Sequence, residues 1–244
     1  MMWRDNLRGL FYIALKDMRA YYLKPPNISW GILFPGALTL AFAIRTPGDL
    51  RELVPGLLAM TALFSATSME AIVITFERRT GALERLLLAP VTLPAMLAGK
   101  VLGGVLFGLL VSGVVLSGVT AGFGLWSWRL LPLVLSLALA TVAFSTLGAF
   151  ISVTVQEVFE AQTLANFIRF PMIFLCGVFV PLPGLPPALR VVARTLPLTY
   201  AVEALDQWLH DPHLGLVALD WAALVAFSVV LFWAATRILE RRLA

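Results

Sequence analysis

The sequence has few charged residues and almost no cysteine. Asp, Glu, Lys and Arg make up 13% of its 244 residues, whereas an average globular chain carries about 25%. Hydrophobic residues make up 60%, and that much apolar surface cannot all be buried in one water-soluble core. These proportions exclude a water-soluble enzyme, a nucleic-acid-binding domain and a disordered chain. The single cysteine, Cys176, excludes a disulfide framework and a cysteine-based metal site.

Histidine is also scarce. The two histidines, His210 and His213, are three residues apart with Asp211 between them. Pro212 breaks the helical spacing that such a pair needs, and no further ligand lies near in the sequence. We therefore expect no metal site. The histidines also lack a neighbouring G-x-S-x-G motif, so a Ser-His hydrolase or acyltransferase is poorly supported.

The sequence has no phosphate-binding loop for a nucleotide. Gly99-Lys100 is followed by Val101, and Pro94 stands where the first glycine of G-x-x-x-x-G-K-[ST] would be. We therefore expect that the chain is not an enzyme and binds no cofactor itself. Any ATP hydrolysis belongs to another polypeptide.

Long apolar runs dominate the sequence instead. A helix needs about 20 mostly apolar residues to cross the hydrocarbon of a bilayer, and none of the runs alternates as a transmembrane strand does. The sequence therefore predicts an all-α membrane protein with six transmembrane helices. The first and fifth are short and contain Pro35 and Pro171. The predicted spans are residues 28–44, 53–76, 101–123, 130–155, 164–180 and 216–236.

The segment before the first span has the pattern of an amphipathic helix. At 100° per residue its apolar side chains form one stripe, and Pro25-Pro26 ends the helix. The pattern predicts a helix that lies in the membrane interface. A soluble helix packed on another subunit would show the same stripe. The stripe consists of Leu7, Leu10, Phe11, Ala14, Leu15, Met18 and Tyr22.

The distribution of Lys and Arg predicts the orientation. Thirteen lie in the N-terminal segment, the loop after the second span, the loop after the fourth span and the C-terminal tail, and five lie in the opposite loops. Because cytoplasmic loops carry the excess of positive charge, both termini are expected in the cytoplasm, which agrees with an even number of spans. The thirteen are Arg4, Arg8, Lys16, Arg19, Lys24, Arg78, Arg79, Arg85, Lys100, Arg169, Arg237, Arg241 and Arg242, and the five are Arg45, Arg51, Arg129, Arg190 and Arg194.

The loop over residues 77–100 reads ERRTGALERLLLAPVTLPAMLAGK, and it has charged clusters around a short apolar helix. Thr80 is a loose candidate for the cap of that helix, and Pro90 and Pro94 follow its end. Such a helix, held between two spans, can act as a lever on which a cytoplasmic partner pushes. An ordinary loop whose arginines only set the topology is the alternative.

The string ERRTGALERLLLAP, the positive N-terminal helix, the six spans and the late string VFVPLPGLPPALRVVARTLPLTYAVEAL closely resemble bacterial ABC-2 family exporter permeases. The resemblance covers essentially the whole chain. It implies a homodimer, or a pair of related permeases, bound to two copies of a cytoplasmic ATP-binding cassette ATPase that holds ATP and Mg²⁺. Membrane lipid is then a further partner, and nucleic acid is not.

The resemblance also implies roles for two groups of residues. The coupling region that contacts the ATPase would comprise Glu77, Arg78, Arg79, Thr80, Gly81, Glu84, Arg85 and Leu86, together with the N-terminal helix. The second and fifth spans would line the substrate path at the dimer interface. Its candidates are Phe64, Thr67, Glu70, Asn166, Phe167, Phe170 and Phe174, although an aromatic stripe is more often packing.

Glu70 is a charged residue inside the second span. A charge in hydrocarbon costs about 2.5–3.5 kcal/mol, so Glu70 should face protein or water. It is either a gate residue near the cytoplasmic end of the path, or a structural partner of Arg169 or of backbone groups. On the fifth span, Gln162, Asn166 and Arg169 share a face at three- to four-residue spacing.

Two further segments have distinctive small or rigid residues. The third span carries three GxxxG pairs, which favour close helix packing within the subunit over a hinge. They are Gly99/Gly103, Gly104/Gly108 and Gly118/Gly122. The proline-dense segment after residue 180 predicts two short helices, 188–195 and 200–209, and resembles the family's extracellular re-entrant element.

The sequence thus predicts a single transmembrane domain over residues 1–244. Its parts are an interfacial helix (1–27), spans one and two (28–76), a coupling loop (77–100), spans three to five (101–180), a re-entrant segment (181–215), and span six with a cytoplasmic tail (216–244). We expect it in the cytoplasmic membrane of a bacterium or archaeon.

The expected function is that of the membrane-spanning permease of an ABC exporter. It would move a hydrophobic or amphipathic substrate, such as a drug or lipid, out of the cytoplasm or inner leaflet. Export of a polysaccharide or another glycan is the alternative. An ion-coupled secondary transporter is more remote, because it would need inverted repeats and several intramembrane carboxylates.

Overall fold

The computed structural model describes residues 2–45, 50–123, 129–210 and 212–243, and within these ranges every regular element is helical. A π-helical turn, Met18–Tyr22, follows α1, and 3-10 turns occupy Leu50–Leu53 and Leu182–Gly184. The α-helices are α1 (Met2–Asp17), α2 (Pro25–Arg45), α3 (Val54–Arg79), α4 (Ala82–Leu87), α5 (Leu93–Phe123), α6 (Leu130–Thr154), α7 (Val158–Leu175), α8 (Pro187–Ala193), α9 (Pro197–Leu209) and α10 (Leu214–Leu243).

Several helices are long and apolar enough to cross a membrane, and the all-α membrane fold is confirmed. In the described part of the chain four stretches meet both requirements: Arg51–Arg79, Leu93–Gly122, Leu130–Thr154 and Leu214–Arg242. They correspond to the predicted second, third, fourth and sixth spans. Helices α2 and α7 occupy the regions of the first and fifth, so the count of six spans stays a prediction.

Helix α3 is the centre of the bundle. It packs against α2, α5, α6, α7 and α9, and its apolar side chains, such as Leu58 and Leu63, are fully buried. Helix α10 lies at the periphery, where it packs on α6 and α9 and leaves Val229, Val230 and Trp233 exposed. Exposed apolar side chains along a span-length helix are what a lipid-facing surface requires.

Glycines bring α5 close to its neighbours. A Cβ atom on Gly108 would lie 3.0 Å from the Cβ of Ala66 on α3, and one on Gly99 would lie 2.9 Å from the carbonyl oxygen of Leu10 on α1. Two GxxxG pairs therefore pack within the subunit, Gly104/Gly108 against α3 and α6 and Gly99/Gly103 against α1. Gly118 and Gly122 have nothing within 4 Å of such an atom.

The apolar stripe of α1 divides between two surroundings. Ala14 and Tyr22 are buried, whereas Leu7 and Phe11 are exposed. Helix α1 packs along α5, and the exposed part of the stripe is available to the membrane interface.

The predicted fifth span, 164–180, has the wrong boundaries. Helix α7 begins at Val158, because Glu157 and Glu160 form a capping box there. The Glu157 side chain accepts a hydrogen bond from the backbone of Glu160, and the Glu160 side chain accepts one from the backbone of Glu157. It ends at Leu175, because Gly177 turns the backbone into the left-handed region with φ +84°.

The segments that carry most of the predicted cytoplasmic cations meet at one end of the bundle. Arg78 at the end of α3 and Arg242 on α10 both donate to the carbonyl oxygen of Val155, at 3.4 and 2.9 Å. Asn6 of α1 accepts from the backbone N–H of Thr92 at 3.0 Å. The N-terminal helix, the coupling loop, the turn after α6 and the C-terminal end are therefore neighbours.

Two of the thirteen cations lie inside the bundle. Lys100 is in α5 and Arg169 is in α7, and both side chains are buried. The other eleven cations keep the asymmetry on which the predicted orientation depends.

At the opposite end, the proline-dense segment forms the short helices α8 and α9. The hydroxyl of Thr199 donates to the carbonyl oxygen of Ala193 at 2.6 Å, and the Tyr200 hydroxyl donates to that of Arg194 at 2.7 Å. Helix α9 packs on α3, α6 and α10. The two helices agree with the predicted ranges 188–195 and 200–209 to within a few residues.

Candidate functional site

Helix α4 is separated from α3 by a sharp turn. Gly81 caps α4 with φ +69°, a conformation that glycine adopts without steric cost. The Thr80 hydroxyl instead donates to the carbonyl oxygens of Phe76 and Glu77, at 3.1 and 3.2 Å. The expectation that Thr80 caps α4 is therefore wrong, because Thr80 closes the last turn of α3.

Helix α4 is anchored on one side and exposed on the other. Leu83 is buried in a cluster with Ile13, Ile74 and Leu97. Glu84 and Arg85 are exposed, and Leu88, just after the helix, is 87% exposed. The helix thus offers two charges and a large apolar side chain to a partner.

Arg78 and Arg79 point to the turn between α6 and α7. Arg79 forms an ion pair with Glu157 at 3.2 Å, and both side chains are exposed. Such exposed pairs contribute about 0–1 kcal/mol to stability. This pair links α3 to the beginning of α7 with little energetic weight.

Directly behind this surface lie four charged side chains, Lys16, Asp17, Glu77 and Lys100, which we name the charge quartet. Lys100 forms ion pairs with Glu77 and, at 3.2 Å, with Asp17. Lys16 pairs with Glu77 and, at 2.9 Å, with Asp17. The side chains of Asp17, Glu77 and Lys100 are 0% exposed. Two cations and two anions therefore balance where α1, α3 and α5 meet.

The member of the quartet nearest to water is Lys16. Burial lowers the pKa of its ammonium group, but the hydrogen bond to Glu77 and the charge of Asp17 outweigh burial, so that the pKa is raised above the ordinary value. A lysine with a raised pKa stays cationic at neutral pH.

The quartet changes the expectation for Glu77. This residue was grouped with the side chains that contact a partner, but it is buried between two lysines. Lys100 was not a predicted site residue. The available signal was a lone lysine at the start of an apolar helix, where an ionisable residue needs a partner.

Two turns above Glu77 on α3 lies Glu70, also fully buried. It accepts a hydrogen bond of 2.5 Å from the Tyr22 hydroxyl in the π-helical turn. A Cβ atom on Gly148 of α6 would lie 2.9 Å from the Cβ of Glu70, so α6 closes this side. Among the described residues, no donor reaches the second carboxylate oxygen, Oε1.

Arg169 on α7 has partners other than Glu70. Its guanidinium donates to Ser68 Oγ at 2.5 Å, to Asn166 Oδ1 at 3.0 Å and to the carbonyl oxygen of Ala165 at 3.1 Å. It also lies 5.0 Å from the centre of the Phe64 ring. The alternative in which Arg169 pairs with Glu70 is therefore wrong.

Aromatic side chains join α2, α3 and α7. The ring centres of Phe34 and Phe64 are 4.7 Å apart, and Phe170 lies 6.1 and 6.4 Å from them. Helix α7 carries a row of exposed phenylalanines that includes Phe170 and extends beyond this contact in both directions. We name it the α7 stripe: Phe159, Phe167, Phe170 and Phe174. Phe167 is 75% exposed.

The predicted path residues divide into two groups. Phe64, Asn166 and Phe170 come together with Arg169, and Phe167 and Phe174 continue along the α7 stripe. Thr67 and Glu70 do not join them: the Cβ of Glu70 and the backbone carbonyl oxygen of Thr67 lie against Gly148 on α6. The Thr67 hydroxyl donates to the carbonyl oxygen of Leu63 in its own helix at 2.6 Å.

At the opposite end a cavity of about 420 Å³ opens between α3 and α9, with Glu52, Glu203 and Asp206 in its lining. His210 Nδ1 lies 3.0 Å from Asp206. Asp211, which lies between the two histidines in the sequence, is outside the described residues. Within the described ranges no three His, Cys, Asp or Glu side chains are grouped to hold a metal ion.

Comparisons with known proteins point in one direction. Residues 9–209 match the family described as "ABC-2 type transporter". Nodulation protein J from Sinorhizobium fredii is 29% identical over 99% of this chain and 92% of its own length. Nodulation protein J from Rhizobium meliloti is 28% identical over the same shares. The inner membrane transport permease YadH from Escherichia coli is 27% identical over 79% of this chain and 81% of its own.

Proposed function

The chain belongs to the ABC-2 type transporter family, and from that premise we propose that it is the permease subunit of an exporter in a bacterial or archaeal cytoplasmic membrane. The family works with a separate ATPase, which agrees with the missing phosphate-binding loop. ATP and Mg²⁺ would be held by that partner. Both termini would lie in the cytoplasm.

The observation that carries the proposal is the exposed helix α4 between two span-length helices. Glu84, Arg85 and Leu88 project from it, while Leu83 fixes it to the bundle. A partner that grips this helix applies force to α3 and α5 together. Arg78, Arg79, Gly81 and Leu86 would complete the contact region, with Thr80 holding the end of α3.

Two copies of the chain would face each other through α2 and α7, each copy bound to one ATPase. The exposed surfaces of these helices, Leu33 and Leu40 on α2 and the α7 stripe, support this interface. Gln162 and Asn166 lie beside the stripe and hydrogen-bond to each other at 3.4 Å. Amides on a membrane helix favour contact with protein or water over lipid. Pairing with a related permease is the alternative to a homodimer.

The substrate path would run along the same surface, past Phe64, Asn166, Phe167, Phe170 and Phe174. Helices α8 and α9 would form a re-entrant element that covers the outer exit. Thr67 and Glu70 would act from within the bundle. The whole chain, 1–244, would work as one transmembrane domain.

A hydrophobic or amphipathic substrate, drug-like or lipid-like, suits a path whose walls are mainly phenylalanine. The amides of Gln162 and Asn166 favour a second candidate, a glycan, because sugars stack on aromatic rings and hydrogen-bond to amides. ATP-dependent uptake of a fluorescent acyl lipid and of a fluorescent oligosaccharide into inside-out vesicles separates the two.

The test of the permease assignment is affinity purification of the chain from the membranes of its source organism. We expect an ATP-binding cassette ATPase to co-purify. The Glu84→Arg/Arg85→Glu variant should insert normally but recover the ATPase about tenfold less, as expected when an interface hot spot is lost.

A matched control reverses an ion pair at the other end of the molecule. Arg194 and Glu203 pair at 2.5 Å, and the Arg194→Glu/Glu203→Arg variant should recover the ATPase fully. Wild-type chain that purifies without any ATPase, or transports substrate alone, would contradict the proposal.

A further inference from the structure

We propose that the charge quartet is the joint through which movement of α4 reaches the membrane-spanning helices. Its members are then positioning residues, which act on the bundle without touching the ATPase or the substrate. This inference rests on the proposed function, because it concerns how the ATPase drives the permease.

The first step is the position of the quartet in the chain. Glu77 and Lys100 are the first and last residues of the coupling loop (77–100), and their ion pair closes the base of this loop, which carries α4. The end of α3 and the beginning of α5 cannot separate without leaving a buried charge unpaired, which is strongly unfavourable. Displacement of α4 therefore moves α3 and α5 as a unit.

The second step is the attachment of α1. Asp17 pairs with Lys100 of α5, and Lys16 pairs with Glu77 of α3. Gly99 lets the backbone of α1 approach α5 closely. The interfacial helix thus joins the same unit and transmits force applied to either element.

The third step is a second contact with α3, which lies further from the coupling loop than the ion pairs do. Glu70 lies two helical turns above Glu77 on α3, and Tyr22 reaches it from the turn that follows α1. The N-terminal region therefore holds α3 at two levels, by ion pairs at Glu77 and by a hydrogen bond at Glu70.

The fourth step is the choice of charges for this junction. Apolar side chains of similar volume often stabilise a buried site as well as an ion pair does, without the cost of removing charge from water. Charges are, however, directional, and here each carboxylate meets both lysines. Such a set fixes three helix ends in one register and can exchange partners when they shift.

The experiment uses the complex of the chain with the ATPase that co-purifies, and ATP with orthovanadate as the probe. Hydrogen-exchange mass spectrometry compares residues 80–92 with residues 177–187 at the other end. The latter contact α3, since a Cβ atom on Gly56 would lie 2.6 Å from the Val178 carbonyl oxygen. In the wild type, ATP and vanadate should change exchange in both segments.

The test variant is Glu77→Gln/Lys100→Met, which removes one cation and one anion and leaves Lys16 paired with Asp17. Its exchange should change at 80–92 but no longer at 177–187. The matched control, Arg237→Gln/Glu240→Gln, removes an exposed pair on α10 at the same end of the bundle and should keep both changes. Lys100→Arg, which keeps the cation, should keep both as well.

The outcomes separate this inference from the proposed function. A test variant that transmits the change to 177–187 as the wild type does overturns the joint. If the test variant and Lys100→Arg both lose the change with an equally lowered thermal midpoint, the role is structural only and the inference falls. A wild-type complex with no ATP-dependent change in either segment overturns the proposed function itself.

Discussion

Tyr22 and Glu70 show how a carboxylate is accommodated inside an apolar bundle. The hydroxyl of Tyr22 donates to one carboxylate oxygen, and Tyr22 itself is fully buried against Phe107, with 5.3 Å between ring centres. Gly148 on α6 packs closely against the Cβ of Glu70 on the third side. Glu70 thus lies where the π-helical turn, α3 and α6 meet.

The Tyr22→Phe variant should lose stability. Removal of the hydroxyl leaves a buried carboxylate oxygen without its donor, which costs about 1–3 kcal/mol. The thermal midpoint in detergent should fall by several degrees, whereas Tyr12→Phe, at a residue that is 66% exposed, should leave it unchanged. Equal midpoints for the two variants would show that this hydrogen bond does not stabilise the protein.

At this scale the sequence indicates which residues need partners but not which partners they find. Glu70 and Lys100 are ionisable residues in apolar helices, a pattern that predicts burial with a partner. Tyr22 is 48 residues from Glu70, and Glu77 is 23 from Lys100. Nothing local in the sequence couples such distant positions, so the helix packing had to be known first.

At the scale of elements, the attachment of α1 to α5 depends on two glycines of α5. Gly99 and Gly103 face the backbone of α1 and the side chain of Tyr22. The charge quartet lies beside them. Small residues and charges together hold an amphipathic helix firmly on the bundle.

Gly99→Val should loosen α1. The new side chain would clash with the Leu10 carbonyl oxygen and the Ile13 Cβ, 2.9 and 3.0 Å from the added Cβ atom, and overpacking of this kind costs about 1–3 kcal/mol. Proteolysis within residues 2–22 should become faster. Gly118→Val, where nothing lies within 4 Å, is the matched control, and equal cleavage of both variants would refute the close contact.

The elements themselves were predicted well where hydrophobicity decides them. Helices α3, α5, α6 and α10 cover the predicted spans because long apolar runs have no other stable state in a bilayer. The predicted boundaries of the fifth span were wrong because the ends of α7 depend on a capping box at Glu157 and on the left-handed backbone of Gly177. Hydropathy reports neither feature. The cap of α4 was missed for the same reason at Gly81.

At the scale of the whole molecule, the described part of the bundle has an exposed surface that carries amides as well as apolar side chains. The α7 stripe runs beside the amides of Gln162 and Asn166, and α2 adds Leu33 and Leu40. Helix α10, on the other side of α6, is exposed but carries mainly aliphatic side chains there. This difference between the two exposed surfaces supports the proposed arrangement, in which a second copy covers α7 and lipid covers α10.

Phe167→Cys should cross-link two copies of the chain in native membranes. The native Cys176 is fully buried and does not compete, so a short bis-maleimide should give a covalent dimer. Val229→Cys on α10, at a residue that is 62% exposed, is the control and should give little dimer. More dimer from Val229→Cys than from Phe167→Cys would contradict an interface formed by α7.

The complex as a whole is tested most directly by its mass. Native mass spectrometry of the tagged chain, extracted gently from the membranes of its source organism, should give two copies of the chain and two copies of an ATP-binding cassette ATPase. The Glu84→Arg/Arg85→Glu variant should give mainly the chain dimer, with about tenfold less bound ATPase. A wild-type chain that leaves the membrane as a monomer, with no ATPase bound, would contradict the assignment as an ABC permease subunit.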